Sequence, residues 1–167
     1  NWKEDVEFTM NYTQVQDLSV IMVLDESASL GEDFEKVKQY ASSFITNVLA
    51  EIPNARIGIV DFADEIHTFP ATNNKTALIN YIASLQQGPF TTLYESVNVG
   101  IDMLEDMDAE AKVLLVFTDG TDNNSDPEFT PTYILDRLNN TISDVKITSF
   151  TLGLDGNGGV DQPLLTE

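Results

Sequence analysis

The stretch Leu18 to Ser29, LSVIMVLDESAS, runs a nearly continuous apolar segment into a carboxylate followed by two hydroxyls at alternate positions. An apolar run of that length without polar alternation is the pattern of a strand covered on both faces, and it stops at Asp25. Beyond it the period changes. Phe34, Val37, Ala41, Phe44, Ile45, Val48 and Leu49 make a helical stripe, led in by Gly31, Glu32 and Asp33, whose charges suit a helix amino terminus.

The same alternation continues along the chain. Pro53 and Asn54 break it, Ala55 to Ala63 (ARIGIVDFA) reads as a second buried strand, and Asp64 and Glu65 turn it into a short third strand over Ile66 to Phe69. A helix fits Lys75 to Leu85 with Asn74 as its cap, and Gly88 and Pro89 mark a loop over Gln86 to Phe90. A third helix is expected from Leu93 to Met107, a strand over Val113 to Thr118, a helix from Pro131 to Leu138, and a last strand over Val145 to Leu152. Strands alternating with helices of this length imply right-handed crossovers, so the class is α/β, with a Rossmann-like open, mostly parallel sheet flanked by helices on both faces.

The chain of 167 residues is one domain's worth of sequence. With 42% hydrophobic residues it has the composition of a folded protein despite 28 acidic against 8 basic side chains and a formal charge of -20. That charge repels phosphate backbones and anionic lipid, which argues against nucleic-acid binding and against direct membrane insertion. No run reaches the roughly 18 consecutive apolar residues of a membrane span. Cysteine is absent, which excludes disulfides, thiolate metal sites and thiol nucleophiles.

In open α/β sheets ligands bind beyond the carboxyl ends of the strands, where the strand order reverses. This singles out the loops after Leu24 and Thr118, and both begin with an aspartate. The first reads Asp25-Glu26-Ser27-Ala28-Ser29, the second Thr118-Asp119-Gly120-Thr121-Asp122, and the loop between the second and third helices adds Thr91 and Thr92. Every candidate donor is a hard oxygen, which suits magnesium, with manganese or calcium as alternatives, far better than zinc or copper.

On these residues the chain resembles a von Willebrand factor type A domain, the family that includes the integrin inserted domains, from about Asp17 onward. The resemblance implies a metal-ion-dependent adhesion site made from a D-x-S-x-S segment, a distant threonine and a later aspartate. Asp25, Ser27 and Ser29 match the first element, Asp119 in the FTDG turn matches the last, and Thr91 is the threonine, six residues before Val97, with Thr92 as the fallback. Glu26, Ala28 and Leu30 depart from residues common in the family, at positions whose side chains point away from the metal there. The resemblance also implies a final helix and edge strand, just where this sequence stops. Residues 1–16, with the alternation Val6, Phe8, Met10, Tyr12, then read as an extra strand or linker from a preceding module, and residues 17–167 as the domain, cut short at its carboxyl end.

If Ser27, Ser29 and Thr91 bind the cation directly while Asp25 and Asp119 act partly through water, the metal's charge is poorly neutralised and calls for an anion. The function expected is therefore a divalent-metal-dependent protein-binding module, without catalysis, that captures a Glu or Asp carboxylate of a protein partner. The resemblance places it in a larger multidomain chain at the cell surface or outside the cell, with the periplasm as an alternative.

Two other classes compete. A magnesium-dependent phosphatase would use Asp25 as nucleophile, but that chemistry needs a second aspartate two residues on, where Ser27 stands. A metal-independent spacer in a surface protein would be indifferent to metal. Asp122, Asn124 and Asp126 share the opening spacing of an EF-hand loop, though Pro127 sits where that loop needs glycine. The Asp155 to Asp161 segment reads as a glycine-rich turn more readily than as a calcium loop. His67 reads as a surface residue.

Overall fold

The computed structural model describes residues 17–120 and 122–154. The chain runs β1 (Leu18–Asp25), α1 (Asp33–Glu51), β2 (Arg56–Phe62), β3 (Ile66–Thr72), α2 (Lys75–Ser84), α3 (Leu93–Glu105), β4 (Ala111–Thr118), α4 (Pro131–Asn139) and β5 (Ile147–Gly153), with one 3-10 turn over Ala28–Leu30. The five strands form one sheet in the order β3-β2-β1-β4-β5. β1 pairs in parallel with both β2 and β4, and β4 pairs in parallel with β5. Only β3 is antiparallel. The expected class is therefore the observed one.

The first strand is central, which is why its sequence does not alternate: all eight of its residues are buried. Leu18, Val20, Met22 and Leu24 face the layer holding Val37, Ala41 and Ile45 of α1 and Leu78 and Ile82 of α2. Ile21 and Val23 face Val97, Ile101 and Leu104 of α3 and Ile134 of α4. Each fully buried aliphatic side chain of this kind contributes about 1.5–3 kcal/mol of burial free energy.

The third strand runs on to Thr72, beyond the Phe69 suggested by the sequence. Pro70 lies inside it, and an edge strand tolerates a residue that cannot donate to the ladder because only one of its sides is paired. Asn74 caps α2 as expected, its side chain accepting from the Ala77 N–H at 3.1 Å. Thr130 does the same for α4, accepting from Tyr133 N–H, with Pro131 in the first turn.

The topology positions the site. The chain moves outward from β1 to β2 and β3, and α2 packs against α1 on one face. The segment 85–92 then crosses to α3 on the other face, and β4 returns beside β1. The strand order thus reverses between β1 and β4, leaving a crevice outside their carboxyl ends, with the crossing segment close by. The expected strand within residues 1–16, the Asp155 to Asp161 turn and both domain boundaries lie outside the described residues.

Candidate metal centre

Three loops meet at this crevice and are tied together by hydrogen bonds. The first, following β1, pairs with the crossing segment as a short parallel bridge between Ser27 and Gly88. Its bonds are Ala28 N–H to the Gly88 carbonyl at 2.8 Å and Gly88 N–H to the Glu26 carbonyl at 3.0 Å. Gln87 adds a side-chain bond to the Ser27 carbonyl at 3.1 Å. The crossing segment is joined to the third loop where the N–H groups of Asn123 and Asn124 donate to the Thr91 carbonyl, and Thr91 N–H donates to the Asn123 side chain.

Asp25 is held from both sides. Its Oδ1 accepts from Ser27 N–H and its Oδ2 from the Thr118 hydroxyl, each at 2.8 Å. The Ser27 and Ser29 hydroxyls are 2.9 Å apart. Burial pushes the Asp25 carboxyl above the usual range; the bonds from Ser27 and Thr118 pull it back, and the like charge of Asp119 raises it further. Asp25 and Asp119 are both buried, as is Thr91. Two close buried carboxylates with neighbouring hydroxyls form an all-oxygen donor set, whose mutual repulsion a divalent cation would relieve.

The structure separates the two threonines. Thr92 donates its hydroxyl to the Ala63 carbonyl at 2.9 Å and its N–H to the same oxygen, so it anchors the start of α3 to the end of β2. The Thr91 hydroxyl has no hydrogen-bond partner among the described residues, although the residue is only 2% exposed. Of the two hydroxyls, that of Thr92 is committed to the backbone and that of Thr91 is not.

Asp122 does not behave as an EF-hand ligand. Its carboxylate accepts from Tyr94 N–H at 2.9 Å and from Ser125, while the Ser125 hydroxyl accepts from Glu95 N–H. The third loop thus caps α3, whose own N-cap residue Thr92 makes no side-chain cap bond.

Sequence reasoning missed the polar cluster beside the site. Asp61, buried within the apolar run of β2, accepts from the Tyr81 hydroxyl at 2.5 Å and lies 3.3 Å from His67. Burial raises its carboxyl, with Tyr81 and His67 partly offsetting. His67 is exposed, as expected of a surface residue. Thr118 was also missed as a support for Asp25. Its position just before Asp119 in β4 was the available signal.

Glu26 points into the protein and is only 7% exposed. Burial pushes its carboxyl up to about 7, Asp61 and Asp25 add like charge, and the Gln86 N–H and Lys38 relieve it in part. The folded chain therefore keeps a proton that the unfolded chain releases near 4.5, so this group's contribution to stability falls as pH rises between those values. Glu26→Gln is expected to stabilise the metal-free protein by about 1–2 kcal/mol near pH 8 and to change little near pH 5. Urea unfolding at the two pH values, in chelator, checks it; equal shifts at both would show that the carboxyl does not titrate in this window.

Comparison with known proteins agrees with this architecture. The family profile of the von Willebrand factor type A domain matches residues 19–166. No curated protein matches. An aerotolerance-related membrane protein from Bacteroides fragilis superposes with a TM-score of 0.65 at 19% identity, over 83% of this chain and 68% of that one. The vWF domain of the type V pili tip protein Mfa5 from Porphyromonas gingivalis gives 0.61 at 20% identity, over 65% of this chain and 39% of that one. The PilB minor pilin from Streptococcus sanguinis gives 0.56 at 20% identity, over 64% of this chain and 30% of that one. The chain thus spans well under half of the two pilus proteins, and at these identities the likeness is one of fold. With the profile covering nearly the whole sequence and the strand order to match, the chain belongs to the von Willebrand factor type A domain family.

Proposed function

We propose that this domain is a divalent-metal-dependent protein-binding module which captures a Glu or Asp carboxylate of a partner at Asp25, Ser27, Ser29, Thr91 and Asp119, and that it performs no catalysis. The observation that carries the reading is the pairing of two buried acids with hydroxyls at the switch point of the sheet. A bound magnesium, or manganese or calcium, would supply an open, positively charged coordination position for an anionic oxygen. The chain's own residues do the rest. Thr118 and Ser27 N–H hold the Asp25 carboxylate in one orientation, Ser27 and Ser29 offer adjacent hydroxyls, and Thr91 is fixed by Asn123. An Asp25 whose two oxygens are both engaged is suited to orienting a ligand sphere, and poorly suited to attacking phosphorus.

The adhesive setting is supported by two structural neighbours, a pilus tip protein and a minor pilin. In the same reading the domain is displayed at the cell surface as part of a larger multidomain chain.

The two threonines supply the test. Thr91→Val should leave metal-free stability within about 0.5 kcal/mol, because its hydroxyl bonds to nothing among the described residues, while abolishing most of the thermal shift caused by magnesium. Thr92→Val should do the reverse, costing about 1 kcal/mol through the lost bond to Ala63 while keeping the magnesium shift. Magnesium that fails to shift the unfolding of the unmodified protein would leave the spacer reading in its place.

A further inference from the structure

The charges of the domain are sorted by the topology. In the described residues Arg56, Lys112 and Lys146 stand at or just before the amino ends of β2, β4 and β5, and Lys75 follows the antiparallel β3. Arg137 is in the last turn of α4 and pairs with Asp102 and Glu105. Because the strands other than β3 are parallel, these cations collect at the end of the sheet opposite the crevice. Among the described residues only Lys36 and Lys38, early in α1, lie towards the site, and each is paired, with Asp33 and Glu35 respectively.

The three site loops, residues 25–33, 85–95 and 119–130, contain no Lys or Arg. Beyond the proposed ligands and the buried Glu26 they carry Glu32, Asp33, Glu95, Asp122, Asp126 and Glu128, of which Asp33 is paired with Lys36 and Glu32, Asp126 and Glu128 are exposed. One divalent cation neutralises Asp25 and Asp119 but leaves this rim acidic. A lone carboxylate on a neutral or acidic partner would approach against that field, since surface charges act over a Debye length of about 8 Å at physiological salt. A carboxylate set among cationic side chains meets it with complementary charge at both the metal and the rim.

We propose that the partner surface this domain recognises is basic: one Glu or Asp flanked by Lys or Arg within a few residues or in adjacent turns. The proposal rests on the metal-dependent reading above, and adds to it the chemistry surrounding the captured carboxylate. The acidic rim rejects acidic surfaces, so the site selects by what surrounds the carboxylate as well as by the carboxylate itself.

The test is selection of a random peptide display library on the immobilised protein in magnesium, with elution first by salt and then by EDTA. The EDTA-eluted peptides should be enriched for an acidic residue with Lys or Arg within three positions. A synthetic peptide made from that consensus should bind about tenfold more weakly at high than at low salt. The double reversal Glu32→Lys with Glu128→Lys, at two exposed positions, should weaken it by a similar factor, and the milder Glu32→Gln with Glu128→Gln by less. EDTA-eluted peptides with neutral or acidic flanks would overturn this proposal and leave metal-dependent capture standing. Basic peptides released by salt alone, with no EDTA-eluted pool, would overturn both, and an unmoved melting temperature in magnesium would locate the failure at the metal site itself.

Discussion

Asp25→Ala is expected to erase the response of this domain to magnesium. A ligand that binds only the folded form stabilises it by about 2.7 kcal/mol at one hundred times its dissociation constant and about 4 kcal/mol at one thousand times, which for a domain of this size is roughly 5–15 °C. The variant should show none of this. In chelator its stability should change far less, because two effects oppose one another. Ser27 N–H and the Thr118 hydroxyl lose their acceptor, at about 1–2 kcal/mol, while the repulsion between Asp25 and Asp119 disappears together with the burial of a charge. Asp119→Ala should behave alike, and the double variant should lose no more metal response than either single one, since one shared site cannot be emptied twice. Capture of an acidic peptide should fall at least about a hundredfold. A magnesium shift surviving in Asp25→Ala, followed by differential scanning calorimetry, would remove the site proposed here.

Gly88→Val is expected to open the site from a distance. A Cβ at this position would lie 2.5 Å from the Cβ of Ala63 and 3.1 Å from Asp64 Oδ1, closer than atoms approach without something moving. The Ala63 methyl is fixed to the end of β2, so the moving part must be the crossing segment. Its displacement breaks the two bonds that pair Gly88 with Glu26 and Ala28, and it carries Thr91 away from the serines. Overpacking of this kind costs about 1–3 kcal/mol, and two lost backbone bonds add about 1 kcal/mol each. The variant should therefore unfold several degrees earlier and bind magnesium at least about tenfold more weakly, read by calorimetry and by titration of the metal. Gly88→Ala tests the same contact with a smaller group and should fall between. A valine variant that melts lower but binds metal normally would mean that Thr91 is not held in place through this contact.

Much of the fold was legible in the chain because burial leaves a periodic trace. The unbroken apolar run of β1 announced a central strand, and the stripe from Phe34 to Leu49 announced α1. Asp33, one residue before that stripe, begins the helix in the structure. Where the sequence misled, the cause was local. β3 runs three residues past Phe69 because Pro70 is harmless on an edge. β5 starts at Ile147, two residues later than its apolar pattern, because Val145 stays near Ser143, whose hydroxyl accepts from its N–H. Asp61 passed unnoticed because one carboxylate inside an apolar strand carries no sign of the tyrosine twenty residues away that satisfies it.

The sequence by itself determined the class of the fold, the central strand, and which carboxylates and hydroxyls stand at strand ends, since these follow from side-chain periodicity and from residue type. Only the tertiary structure tied the Thr92 hydroxyl to Ala63, turned Asp122 into the cap of another loop's helix, buried Glu26 beside Asp61, and gathered the cations at the far end of the sheet. The physical reason is that a hydrogen bond or a charge contact joins groups far apart in the chain. Its partner depends on strand order and crossover path, and a linear pattern records the need for a partner without recording which one meets it.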